Sequence, residues 1–347
     1  MLLNELLISE EESVLNAMRR LDETGRRILF VAPDGKLKAV ITDADTRRFI
    51  LRKGDLNAPL REAANYSPRS LPVHARATAK EFLQKNSIDA VPLLDEDGCI
   101  VDIVFTNDVG LQSGEKVDIP VVVMAGGLGT RLYPYTKILP KPLIPVGEIP
   151  IAEHILKRFI NAGCSRFHMV VNHRKNMIKS YFSDCGTTYD ITWVDEDMPL
   201  GTGGGLSLLN GKLDEPFFLT NCDIIVEADY ASLYKFHREK GNVITNVCAL
   251  KQVVIPYGVI SLDAQGEVES ITEKPQMNFL TSTGLYVVEP RVVQELEQGA
   301  AISFPEIMEK YRAQGERIGV YPVSEHSWMD MGQLEELDNM RRRMSET

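Results

Sequence analysis

Cysteine is scarce in this chain of 347 residues, and its placement excludes two classes of protein. The five cysteines (Cys99, Cys164, Cys185, Cys222, Cys248) are far apart and form no CxxC pair. Neither a disulfide framework nor a structural zinc site is expected, and the thiols read as reduced. The six histidines lack metal-ligand spacing, so His154, in a helical run, and His168, in a strand, read as structural. No Ser–His–Asp or Cys–His arrangement is suggested. No apolar run approaches the ~20 residues that span a membrane. Basic charge is short too: 38 Lys and Arg stand against 49 Asp and Glu, for a net charge of −11. That balance argues against nucleic acid as a partner of the whole surface but allows a local basic pocket. The opening MLLNELLISEEESV has no basic n-region and soon turns acidic, so no signal peptide and a cytoplasmic protein are expected. What is present is ordinary: 44% hydrophobic and 25% charged residues, in a length that allows two domains.

The first third carries an internal repeat. LFVAPDGKLKAVITDAD, from Leu29, recurs as PLLDEDGCIVDIVFTND, from Pro92, 63 positions later. Asp34 and Gly35 align with Asp97 and Gly98, and Asp45 aligns with Asp108. Asp-Gly between two short apolar runs signals a hairpin. Before the first copy, Val14, Leu15, Met18 and Leu21 recur at helical spacing. Helix, strand, turn, strand and an Asp-bearing helix start resemble a tandem pair of CBS domains over residues 1–112. The resemblance implies an adenine-nucleotide cleft between the copies, with Thr42 and Asp45 at ribose and phosphate. In the second copy Asp108 is kept but Phe105 stands at the Thr position, so at most one nucleotide per chain is expected. The same carboxylates also read as helix N-caps, a role that needs no ligand.

Residues 113–119 are polar and read as a linker. From residue 120 the pattern changes. Apolar runs (VVVMA, FHMVVN, ITWV) alternate with helical stretches (AEHILKRFINAG, NMIKSYF). This is the signature of an α/β domain, a parallel sheet with helices on both faces, here over residues 120–347. Ligands of such sheets bind at the carboxyl ends of the strands.

At the first of those ends stands VVVMAGGLGTRLYPYTKILPKPLIP, from Val121 to Pro145. A buried strand runs into a glycine turn whose amides can approach a phosphate closely. Arg131 and Lys141 supply the positive charge a polyphosphate needs. Four prolines (Pro134, Pro140, Pro142, Pro145) exclude the long helix that follows a dinucleotide-binding GxGxxG. The stretch resembles the signature of sugar-1-phosphate nucleotidyltransferases, also called NDP-sugar pyrophosphorylases. That resemblance implies a Rossmann-like α/β/α domain and binding of the nucleotide by Ala125, Gly126, Gly127, Gly129 and Thr130.

Further segments extend the resemblance. In EDMPLGTGGGLSLL the family's PLGTGG closes over base and ribose, which implies roles for Gly201, Thr202 and Gly203, with Gly204 beside them. Glu196 can accept two hydrogen bonds from the N1–H and N2–H₂ edge of guanine, which points to GTP. In FFLTNCDIIV, Asp223 ends an apolar strand, and Cys222 replaces the family's usual glycine. In SWMDMGQLEEL, Trp328, Asp330 and Gly332 match W-x-D-x-G, but Gln333 and Leu334 depart from the Thr-Pro-Glu that usually follows. The resemblance implies Mg²⁺ held by Asp223 and Asp330. It also implies a sugar pocket built from Gly258, Glu273, Thr283 and Gly284, with Lys274 on the sugar phosphate.

The reaction so implied is NTP plus sugar 1-phosphate giving NDP-sugar and pyrophosphate. Arg131, Lys141, Asp223, Lys274 and Asp330 are the expected catalytic set. The CBS-fused layout most resembles glucosamine-1-phosphate guanylyltransferases of the bacterial legionaminic acid pathway. Heptose- or mannose-1-phosphate guanylyl transfer, and uridylyl or thymidylyl transfer, are the alternatives. An adenine-nucleotide-sensing binding protein is the non-enzyme rival, and a homo-oligomer is expected in either case.

Overall fold

The computed structural model describes residues 3–106 and 116–345. Backbone contacts divide the chain into two compact units, Met1–Glu115 and Lys116–Thr347. Among the described residues no helix is long and apolar enough to cross a membrane.

In the first unit α1 (Val14–Thr24) starts at Ser13, whose side chain accepts from the Asn16 amide, and ends at Gly25 with φ 62°. It buries Val14, Ala17, Met18 and Leu21. Strands β1 (Ile28–Val31) and β2 (Ala39–Thr42) pair antiparallel, and α2 (Asp43–Leu51) follows. The second copy has β3 (Leu71–Pro72), α3 (Ala79–Asn86), β4 (Ala90–Leu94) and β5 (Ile100–Phe105), with β4 and β5 antiparallel. Both Asp-Gly turns form, with Gly35 and Gly98 each at φ 81°, where a side chain would be strained. The two turns touch: the Leu37 amide donates to the Gly98 carbonyl (3.1 Å).

The second unit is built on a seven-stranded sheet. Its strands are β6 (Val121–Met124), β9 (Arg166–Val171), β10 (Asp190–Asp195), β11 (Phe217–Asn221), β13 (Ile244–Val254), β16 (Gln276–Val288) and β17 (Ile318–Ser324), in the order β10-β9-β6-β11-β16-β13-β17. Strand β6 is buried throughout because both its faces are covered. Val121 and Val123 enter one apolar cluster with α4 (Ile151–Ala162) and α5 (Lys175–Asp184). Val122 and Met124 enter the other, with α9 (Phe304–Ala313). Short antiparallel pairs β7 (Pro145–Val146) and β8 (Ile149–Pro150), and β12 (Ile224–Val226) and β18 (Trp328–Asp330), lie outside the main sheet. Helices α6 (Gly201–Gly204), α7 (Tyr230–Lys240), α8 (Pro290–Gln294) and α10 (Leu334–Ser345) complete the unit.

One expectation is corrected. The sheet is mixed, since β16 runs antiparallel to both β11 and β13. Strand alternation carries no information about direction, and β16 returns through a hairpin rather than a helical crossover. The hairpin extends past the sheet into an arm, where β14 (Val259–Leu262) pairs antiparallel with β15 (Val268–Thr272).

Candidate active site

The predicted nucleotide loop leaves the carboxyl end of β6. Ala125 is buried, and its amide donates to the Val170 carbonyl of β9 (2.8 Å). At Gly126 a Cβ would lie 2.7 Å from Glu196 Oε2 and 3.2 Å from Asn172 Cβ, so any side chain would displace one of them. The ends of β6, β9 and β10 therefore converge on Gly126, Asn172 and Glu196. Gly127 faces open space. Gly129, at φ 66°, leaves room for Thr136 Cγ2 at 2.8 Å and Lys141 Cβ at 3.2 Å, and its carbonyl accepts from the Thr136 hydroxyl (2.7 Å). This fold-back brings Lys141 to the loop. The proline-rich stretch forms short 3₁₀ turns, the first of which holds Thr130 and Arg131, both exposed.

The Lys141 ammonium forms an ion pair with Asp223. Asp223 precedes β12, and Asp330 closes β18. The β12–β18 register sets Ile224 opposite Asp330, and the Met331 amide donates to the Asp223 carbonyl (2.8 Å). Two carboxylates far apart in sequence are thus neighbours. Burial pushes the Asp330 carboxyl up from its ordinary pKa, and the adjacent Asp223 charge adds to this. A hydrogen bond from the Gly332 amide (2.7 Å) and the charges of Lys141 and Arg131 act against it. Among the described residues no group of three or more His, Cys, Asp or Glu could hold a metal. Two carboxylates fit a hard cation that completes its shell with water and substrate oxygens. Cys222, next to Asp223 in sequence, is buried in the core, and burial raises its thiol to about 12, so it is an inert packing group.

Glu196 is 6% exposed, and its Oε1 accepts from the Leu200 amide (2.8 Å). The glycines after it pack against a distant segment of the chain. A Cβ at Gly201 or Gly203 would lie 2.9 Å from the Ile302 carbonyl oxygen, and one at Gly204 would lie 2.2 Å from that of Ala300. The Gly203 and Gly204 amides donate to Ile302 (3.0 and 2.9 Å), and the Thr202 hydroxyl accepts from the Phe304 amide (3.2 Å). Glycine here lets two segments of the chain approach each other closely.

Of the residues expected around the sugar, Gly258 and Glu273 meet at the root of the arm, where a Gly258 Cβ would lie 3.0 Å from Glu273 Oε2. Lys274 sits at φ 46°, and its amide donates to the Tyr257 carbonyl (3.2 Å). Gly284, at φ 88°, leaves space for Asn221 Nδ2 at 2.7 Å. Thr283 does not present a free hydroxyl as a pocket residue should. It is 2% exposed and donates to the Val247 carbonyl (2.8 Å). Asn172 was missed in the sequence, although a polar residue ending the apolar run FHMVVN was a usable signal. Its Nδ2 is buried without a hydrogen-bond partner among the described residues, against Gly126.

In the first unit Thr42 and Asp45 bond to each other in a capping box. The Thr42 hydroxyl donates to Asp45 Oδ2 (2.6 Å), and the Asp45 amide donates to the Thr42 oxygen (3.3 Å). Asp45 is also ion-paired with Arg48. The Phe105 ring lies 4.3 Å below the Arg26 guanidinium. Asp108 lies outside the described residues.

Residues 120–346 match the family model described as nucleotidyl transferase. The probable mannose-1-phosphate guanylyltransferase 3 of Oryza sativa subsp. japonica is 31% identical over 241 residues, covering 64% of this chain and 66% of that protein. The UTP–glucose-1-phosphate uridylyltransferase of Synechocystis is 29% identical over 239 residues, covering 61% and 60%. The chain spans 66% or less of the length of these curated relatives. Among solved structures, HddC from Yersinia pseudotuberculosis complexed with GMP-PN superposes with a TM-score of 0.52 at 20% identity, over 65% of this chain and 99% of that one. That likeness is one of fold. The glycine loop, the paired carboxylates and the family match all fall within residues 120–346, and by these the chain belongs to the nucleotidyl transferase family.

Proposed function

We propose that residues 120–347 transfer a nucleoside monophosphate from an NTP to a sugar 1-phosphate, releasing pyrophosphate. The observation that carries this is the meeting of Lys141, Asp223 and Asp330 beside the glycine loop. The sugar phosphate is an anion at neutral pH and needs no general base. Its oxygen attacks the α-phosphorus, and the bond to the pyrophosphate oxygen breaks on the opposite side. Bringing two polyanions together is then the main barrier, and positioned positive charge lowers it. Arg131 and the loop amides bind the β- and γ-phosphates, Lys141 lies near the α-phosphate, and Lys274 holds the incoming sugar phosphate. Asp223 and Asp330 would hold Mg²⁺, which neutralises phosphate charge when bound.

GTP is the favoured nucleotide in this reading, because Glu196 lies against Gly126 and offers a carboxylate to the guanine edge. Glucosamine 1-phosphate is the favoured sugar, on the CBS-fused layout, and mannose or heptose 1-phosphate are the alternatives. Residues 1–112 act as a CBS pair, joined through 113–119 to the transferase domain. The mutual capping of Thr42 and Asp45 favours a structural role for them over a nucleotide site. A cytoplasmic setting suits an enzyme that consumes nucleotide triphosphates. A matrix of four NTPs against hexose, aminohexose and heptose 1-phosphates, read by pyrophosphate release, tests the proposal. Absence of release in every combination would overturn it.

A further inference from the structure

The loop that carries Arg131 and Lys141 has little with which to hold itself in place. Its prolines lack an N–H, and several of its amides bond only locally: Lys137 donates to the Pro134 carbonyl (3.1 Å), Ile138 to Tyr135 (3.0 Å) and Leu143 to Pro140 (2.9 Å). Such turns fix short pieces of chain but not their position on the domain. Leu143 and Ile144 are buried and anchor the far end of the loop. Toward its near end Tyr135 and Ile138 are 44% and 72% exposed. Lys141 lies between these two regions in the chain, and its ammonium meets Asp223.

One guanidinium joins the two regions. Arg341 of α10 donates to the Pro145 carbonyl from Nε (3.3 Å) and from Nη2 (3.1 Å). The same guanidinium lies over the Tyr135 ring, 5.6 Å from its centroid. Asp338, one turn earlier on α10, pairs with Nη1 at 3.6 Å. Tyr135 and Pro145 flank Lys141, so a single side chain staples the loop on both sides of it. Charged donors make the stronger hydrogen bonds, and a cation over an aromatic ring adds attraction. The helix that delivers Arg341 is itself fixed. Leu337 and Met340 are buried, at 0% and 1% exposure, in the same apolar cluster as Leu143, Ile144 and Val146. Helix α10 also begins just past Asp330, whose carboxylate accepts from the Gly332 amide. It therefore connects one carboxylate of the site to the loop that bears Lys141.

We propose that Arg341 is a positioning residue of the transfer reaction, which holds Lys141 in place by stapling Tyr135 to Pro145. It acts through the loop and not on the reacting atoms. The inference rests on the function proposed above, in which Lys141 lies near the α-phosphate. Slack in the loop would misplace that charge, and a misplacement of about 1 Å can cost about 100-fold in rate. The side chain of Arg341 is 30% exposed, so its loss opens no cavity in the core.

Two readouts on the full chain test it: amide hydrogen exchange over residues 135–145, and turnover by pyrophosphate release. Arg341→Met keeps an apolar stem and loses the donors. Exchange over that segment should become at least ~10-fold faster. Its kcat should fall at least ~10-fold with KM for both substrates within about 2-fold of the wild type, the mark of an interaction that matters in the transition state. Arg341→Lys keeps a cation for Tyr135 and a donor for Pro145, and should recover most of both losses. Arg342→Met, the same charge lost one residue on, should leave both readouts unchanged. Unchanged exchange in Arg341→Met would overturn the staple, and a normal kcat despite faster exchange would overturn its part in the reaction. A kcat loss that Arg341→Lys does not recover would assign the effect to packing and overturn the proposal as well. A wild type without turnover for any substrate pair would instead overturn the proposed function, with exchange still deciding whether Arg341 holds the loop.

Discussion

The ammonium of Lys141 is held against the carboxylate of Asp223, and both side chains are 12% exposed. This pairing fixes which group offsets the charge of the two aspartates. Lys141→Met removes the cation and leaves Asp223 beside Asp330, whose carboxyl already sits high for want of solvent. Turnover should fall about 10²–10³-fold, the usual cost of losing one positioned charge at a transferring phosphoryl group. Asp223→Asn and Asp330→Asn should each lose as much, and a chelator should silence the wild type. Pyrophosphate release measures all four, and near-normal rates in either Asn variant would remove the metal assignment.

Gly126→Ala tests the loop by sterics alone. The new methyl would meet Glu196 Oε2 at 2.7 Å and Asn172 Cβ at 3.2 Å, so one of them must move. A displacement of this kind near a reacting group commonly costs about 10²-fold. The expected result is a raised KM for the NTP with little change in KM for the sugar phosphate. Gly127→Ala is the control, because its Cβ would meet nothing within 4 Å.

Glu196→Gln keeps the shape of the side chain and can still accept from the Leu200 amide. It loses one acceptor and gains donors, so it no longer matches the guanine edge. The ratio of kcat/KM for GTP over UTP should fall about 100-fold. A wild type that prefers UTP or dTTP with every sugar phosphate would sink the base-pocket reading.

Acid stability should depend on His237. It is fully buried, with Nδ1 at 2.9 Å from the Thr245 hydroxyl and Nε2 at 3.3 Å from Glu289. Burial lowers its pKa, with the charge of Glu289 acting against the shift. The unfolded chain binds its proton near pH 6.5 and the folded chain only at lower pH. Stability is therefore unaffected by this group above pH 7 and falls as pH drops below about 6.5, by at most about 1.4 kcal/mol per pH unit. His237→Gln should flatten that part of a plot of Tm against pH. An unchanged slope would assign the acid sensitivity to other groups.

The neighbourhood of Gly126, Lys141, Asp223 and Asp330 was legible in the sequence because residue type left little choice. Glycine, arginine and lysine around an apolar strand end have few uses besides a phosphate loop, and the family match covers the same residues. The change of pattern from residue 120 was visible because apolar runs there alternate with helical stretches. Other features depend on partners that sequence does not display. The need for glycine at 201, 203 and 204 comes from residues 300–303, far along the chain. The burial of Thr283 follows from its bond to Val247 across the β13–β16 pair. The direction of β16 was hidden because apolar alternation is the same read either way.

The β12–β18 ladder also fixes an order of events. Asp223 and Asp330 are separated by ~100 residues of chain, a long-range contact that forms late compared with local structure. While the chain is being made, Asp223 and its ion-pair partner Lys141 are both present long before Asp330. A chain still under synthesis therefore has the glycine loop and Lys141 but neither the second carboxylate nor the residues 300–303 on which Gly201, Gly203 and Gly204 pack. The pairing of Ile224 with Asp330 can form only once β18 has been made, so the two carboxylates meet at the very end of synthesis.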